Sequence, residues 1–165
     1  MAQPKPQPQS LEEKIEESLL AGQSRRQIID RLKNEEDPQK LLFHANNISN
    51  PAVRGKYVYL NLLLAFFLLF VTSKKLLTIV QFGAIDLFFF LSLVPVVINF
   101  YLLREILRFR RIGYHFLLVL APLSLLLPEN RLYPELPMIL AMTVLSGFLF
   151  FRMFPPGELI KTLEK

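Results

Sequence analysis

The chain contains no cysteine. That absence excludes disulfides, thiolate nucleophiles, iron–sulfur ligation and lipid anchors attached through a thiol. Histidine is nearly as scarce: His44 and His115 are far apart in sequence, too few for a histidine-rich metal centre. The glycines are scattered and none opens a phosphate-cradling loop, and neither G-x-S-x-G nor H-E-x-x-H occurs. Paired carboxylates are confined to the polar N-terminal region. The residues therefore point to no enzymatic chemistry, no cofactor and no metal. The leading MAQPKPQPQS lacks the apolar core of a signal peptide, so membrane insertion would depend on internal segments.

What the chain has in abundance is apolar sequence. Hydrophobic residues make up 52% of it, with 15 phenylalanines, and they concentrate after residue 56. The organising stretch runs from Leu76 to Leu103 and is closed by Arg104, Arg108, Arg110 and Arg111. About 20 apolar residues already cross a ~30 Å hydrocarbon layer. The expected fold is all-α: a polytopic membrane protein with four transmembrane helices preceded by a small cytoplasmic three-helix unit. The net charge of +5 does not imply a nucleic-acid partner, because lysines and arginines lie in the polar head and at the ends of apolar runs. Charges placed so set topology and meet anionic headgroups.

In chain order, residues 1–9 alternate proline with glutamine and lysine, a composition that favours an extended, disordered tail. Residues 10–46 read as a soluble three-helix head. Ser10 with Glu13 forms a capping-box pattern before Leu11, Ile15, Leu19 and Leu20; Gly22 ends that helix. Ser24 caps a second helix with Ile28, Ile29 and Leu32 inward and Arg25, Arg26, Arg31 and Lys33 outward, and Asp37-Pro38 opens a third through Leu41, Leu42 and Phe43. This layout is similar to ubiquitin-associated-like three-helix modules, which also put a glycine and a capping residue between their first two helices. The likeness covers about a fifth of the chain and implies a fold, with no function attached.

A turn-forming linker, residues 47–56, leads into a four-helix transmembrane bundle over 57–154, with spans expected at about 57–73, 83–105, 109–127 and 136–153. A cytoplasmic tail, 155–165, follows. Helical throughout, residues 76–103 would be about 42 Å long, so either that helix tilts strongly or Leu76–Phe82 lies along the interface and the span starts near Gly83; the second is preferred. The third span is short. It crosses if Phe109–Ile112 extend it, or it forms two half-helices broken at Ala121-Pro122, and the full crossing is favoured.

The candidate intramembrane polar residues are Asn61, Gln81, Asp86, Ser92 and Asn99. On a straight helix Gln81, Ser92 and Asn99 fall within about 20° of one another, while Asp86 is about 140° away. Asp86 is the acidic residue deepest in an apolar run, a costly position that is functional by default unless it lies at the interface. Arg104, Arg108 and Arg111 recur at i, i+4 and i+7 with Arg110 beside them, and His115 extends the line. This basic stripe is a topology anchor or a site for an anionic lipid or an acidic partner.

Arg54, Lys56, the four arginines of 104–111, Arg152 and Lys161 fall on one side of the expected spans, against Lys74, Lys75 and Arg131 on the other. Positive charge collects inside. Both termini are thus expected in the cytoplasm, in a plasma or bacterial inner membrane. Two functions follow as expectations. The first is an integral membrane subunit or scaffold that assembles with other membrane proteins and docks a protein on its cytoplasmic head. The alternative is a small oligomeric transporter or channel using the polar stripe and Asp86.

Overall fold

A computed structural model describes residues 10–82, 85 and 87–160. The segment 1–9, Gly83, Asp86 and residues 161–165 lie outside the described residues, and the expectations for them are not addressed by it. The described chain is helical: α1 (Leu11–Leu20), α2 (Arg25–Leu32), α3 (Pro38–Asn47), α4 (Pro51–Phe82), α5 (Leu87–Leu107), α6 (Arg111–Ser124) and α7 (Glu135–Met153). Single 3-10 turns occupy Pro128–Arg131 and Pro156–Glu158.

The short helices start where local chemistry dictates. Ser10 Oγ accepts from the Glu13 amide at 3.3 Å while the Ser10 amide donates to the Glu13 carboxylate at 2.9 Å. Ser24 and Gln27 repeat this reciprocal cap, and Asp37 accepts from Gln39 N with Pro38 in the first turn. Each cap satisfies amides that a helix N-terminus otherwise leaves unpaired. Gly22, at φ +78°, makes the left-handed turn between α1 and α2. Ile15, Leu19, Ile28, Ile29, Leu32, Leu41, Ala45 and Ile48 then close into one apolar cluster.

The four longer helices pack α4 on α5, α5 on α6, α6 on α7 and α7 on α4. Asn61 in the first half of α4 bonds Ile106 at the end of α5, and Lys74 farther along α4 pairs with Glu135 at the start of α7. The chain thus runs up and down in turn. Its core joins Leu64 and Leu68, Leu102 and Ile106, Tyr114 and Leu117, and Ile139, Met142 and Leu149.

Three helices are long and apolar enough to cross a membrane: Pro51–Gln81, Leu87–Leu107 and Glu135–Met153. The helix boundaries correct the expected ones in three places. α4 starts at Pro51, absorbing residues 51–56 of the expected linker, and runs without a break through Lys74 and Lys75 to Phe82. Leu76–Phe82 therefore ends the first long helix and does not begin the second. The two lysines were a boundary signal in one dimension, but Lys74 finds Glu135 and α4 has no reason to stop there. The third correction concerns residues 109–127. Phe109 takes φ +54° and Arg110 is extended, so the chain turns sharply and α6 has 14 residues, about 21 Å. It does continue past Pro122 to Ser124.

Gly113 allows that turn to be tight. A Cβ there would lie 3.0 Å from the Ile106 amide nitrogen and 3.0 Å from Glu105 Cβ, closer than packed atoms normally come. Gly113→Ala is expected to destabilise the bundle by about 1 kcal/mol, read as a lower midpoint in detergent denaturation. Gly55→Ala, inside α4 with nothing within 4 Å, is expected to hold or raise that midpoint, because alanine is the better helix former.

Candidate functional site

The basic segment between α5 and α6 is where the short helices meet the bundle. Because Phe109 breaks helical geometry, the four arginines do not form one stripe. Arg104 and Arg108 point outward at the end of α5. Arg110 turns inward and is 2% exposed. Arg111 starts α6, its guanidinium 5.4 Å from the Phe150 ring centre. His115, one turn on and exposed, stacks on the same ring at 5.6 Å.

Opposite the arginines lies the acidic face of α1. Glu12 Oε2 accepts from Arg108 and Arg110, each at 2.7 Å, and Glu12 Oε1 is 3.3 Å from His44 Nδ1. Glu16 takes Arg54 at 2.9 Å and lies 3.9 Å from Arg110. Arg54 also donates to Ser49 Oγ at 2.8 Å and sits over the Phe109 ring. Burial pulls the Arg110 pKa below the usual arginine range, while the Glu12 carboxylate pulls it back up. With three arginines facing two carboxylates, the cluster keeps an excess of positive charge.

Backbone bonds reinforce the junction. Arg110 precedes α6 but provides no side-chain cap; Asn47, at the end of α3, accepts from the Ile112 amide at 2.9 Å instead. Ile48 and Arg110 pair as an isolated antiparallel bridge. Arg25, expected to face outward from α2, is 5% exposed. Its Nη1 donates to the Ala45 and Ile48 carbonyls, closing the C-terminal end of α3, whose orphan acceptors need such a partner.

The described polar residues expected in the membrane do not share one helix face. Gln81 belongs to α4, whereas Ser92 and Asn99 belong to α5, so the face computed for one straight helix is divided between two. Ser92 Oγ donates to Phe88 O of its own helix at 2.7 Å. Gln81 is exposed and Asn99 half-buried. Asp86 lies outside the described residues. Among the described members of this group, Asn61 alone sits in a buried network: its Nδ2 donates to Ile106 O at 3.0 Å and its Oδ1 accepts from Tyr114 Oη at 2.5 Å. Tyr114 had no signal in the sequence beyond its aromatic ring near a basic cluster.

At the other end of the bundle, Lys74 pairs with Glu135 eight residues before α4 ends. The α4–α5 hairpin therefore continues about 12 Å past that pair. Leu77, Val80, Leu87, Phe88 and Leu91 are exposed along it. What the arrangement supports chemically is binding and positioning: a charged clamp at one end, an apolar hairpin at the other. No protein-family model, curated protein or solved structure matches the chain.

Proposed function

We propose that the chain is an integral membrane subunit or scaffold. In this reading α4, α5 and α7 cross the bilayer, and α6 makes a fourth crossing with Arg111 reaching toward the headgroups and Leu125–Leu127 completing its length. The end carrying Arg54, Lys56, Arg104, Arg108 and Arg152 faces the cytoplasm under the positive-inside rule, with α1–α3 held against it as a docking head. Other membrane proteins bind along α5.

The observation that carries the proposal is the bareness of α5. Phe88, Leu91, Val94, Val97 and Tyr101 are exposed, and from Leu87 to Pro95 no described residue of α5 is buried. Lipid or a neighbouring helix covers such a surface; water does not.

The cysteine-free chain offers a clean test. Single cysteines placed at Val94 and Val97 are expected to cross-link in native membranes to one defined membrane-protein species, and the chain is expected to stay in the membrane after an alkaline wash. Release by that wash would end the membrane assignment. Lipid-only labelling at both positions, with a monomer in mild detergent, would end the subunit assignment.

A further inference from the structure

The segment after α7 returns to the short helices and is gripped there. The Asn46 side chain holds both backbone groups of one residue: its Nδ2 donates to Ile160 O at 2.8 Å, and its Oδ1 accepts from Ile160 N at 3.1 Å. A side-chain amide bonded in this way to an N–H and a C=O of the same residue copies the edge of a β-strand, which is how extended peptides are commonly held. Leu159 is extended accordingly, at φ −85° and ψ 130°. The Ile160 side chain, like those of Leu11 and Leu42, packs against the apolar cluster of α1–α3. Two residues earlier, Glu158 lines the same groove as Arg25, and its charge offsets part of the burial that lowers the Arg25 pKa.

These contacts open onto a groove of about 1300 Å³. Gly157–Ile160 form one wall, and the α1–α2 turn with the first turns of α2 forms the other. Gln23 and Arg25, both in its lining, carry buried polar atoms without a hydrogen-bond partner. The cleft is larger than the four residues seated at its edge. Among the described residues the attachment is light, two hydrogen bonds and a half-buried Ile160.

We propose that Asn46, the Ile160 seat and the α2 groove form a docking site for an extended peptide carrying an acidic residue two positions before an aliphatic one. Glu158-Leu159-Ile160 occupies this site in cis as an internal stand-in. The proposal rests on the docking role given to the short helices above and names the chemistry of the partner. A partner segment with the same pattern displaces the tail and continues along α2.

The test uses the full chain in detergent and a fluorescent peptide of residues 155–162, PPGELIKT. The Ile160→Glu variant, whose own tail no longer seats, is expected to bind the peptide saturably. Ile160→Glu with Asn46→Ala should bind about tenfold more weakly, the loss expected for two hydrogen bonds, and a peptide with Glu158 replaced by Gln should also bind more weakly. The wild-type chain should bind at least about tenfold more weakly than Ile160→Glu because its tethered tail competes at high effective concentration. Ile160→Ala repeats the measurement with a milder change, and protected α3 amides in hydrogen exchange show that the seat is intact. Absence of saturable binding to both Ile160 variants with α3 protected, or equal binding with and without Asn46, would overturn the docking site. Both results are independent of whether α5 cross-links to a membrane partner.

Discussion

Glu12→Ala is expected to free the three short helices from the bundle at a cost of about 3 kcal/mol, the lower end of the range for stranding a buried charge. The asymmetry of the cluster sets this size. The Arg110 side chain is 3% exposed, whereas that of Glu12 is 29% exposed. Without Glu12, the nearly buried Arg110 keeps only Glu16 at 3.9 Å among the described carboxylates. Arg108→Ala is a different matter. That side chain is 42% exposed, so its pair with Glu12 contributes no more than about 1 kcal/mol. In hydrogen exchange, α1 amides of Glu12→Ala should lose protection while α4 and α7 keep theirs; Arg108→Ala should resemble wild type. Combining Glu12→Arg with Arg110→Glu should recover part of the protection. Unchanged α1 exchange in Glu12→Ala would show that the clamp does not hold the junction.

Only part of this junction could be read from the sequence. The starts of α1, α2 and α3 were legible because a cap is local: Ser10 with Glu13, Ser24 with Gln27 and Asp37 with Pro38 lie within four residues of the amides they serve. The apolar runs behind the three long helices were equally plain. What remained hidden depends on residues distant in sequence. Glu12 and Glu16 looked like the solvated side of an amphipathic helix, yet Arg108 and Arg110, the partners of Glu12, come more than ninety residues later, and Arg54, the partner of Glu16, comes 38 residues later. Arg25 resembled an ordinary surface arginine because the α3 carbonyls it closes are 20 and 23 residues away. The regular spacing of Arg104, Arg108 and Arg111 suggested one stripe, on the assumption of one continuous helix that Phe109 interrupts. Lys74 and Lys75 gave the opposite error, implying a break where a distant carboxylate allows α4 to continue.

Asn61→Leu is the second substitution expected to do substantial damage, because it breaks the polar lock that ties α4 to both α5 and α6. Asn61 is 1% exposed and Tyr114 0%, so neither bonds to lipid or water. The leucine leaves the Tyr114 hydroxyl with only a 3.4 Å contact to Ile106 O. It also removes the 3.0 Å side-chain donor from that carbonyl, which keeps only the Phe109 amide at 2.9 Å besides that contact. The expected loss is about 2 kcal/mol, above the ~0.6 kcal/mol average for one hydrogen bond between membrane helices, because both bonds of Asn61 go at once and the buried Tyr114 hydroxyl is left poorly paired. Tyr114→Phe should cost less, about 1 kcal/mol, since Asn61 retains its bond to Ile106 O. The double variant tests the coupling. If Asn61 and Tyr114 act through each other, Asn61→Leu with Tyr114→Phe will be no less stable than Asn61→Leu alone in detergent denaturation, because the phenylalanine removes the very hydroxyl that leucine left unpaired. Strictly additive losses would mean that the two side chains hold their helices separately, and that packing around Leu64, Leu102 and Leu117 aligns this end of the bundle without them.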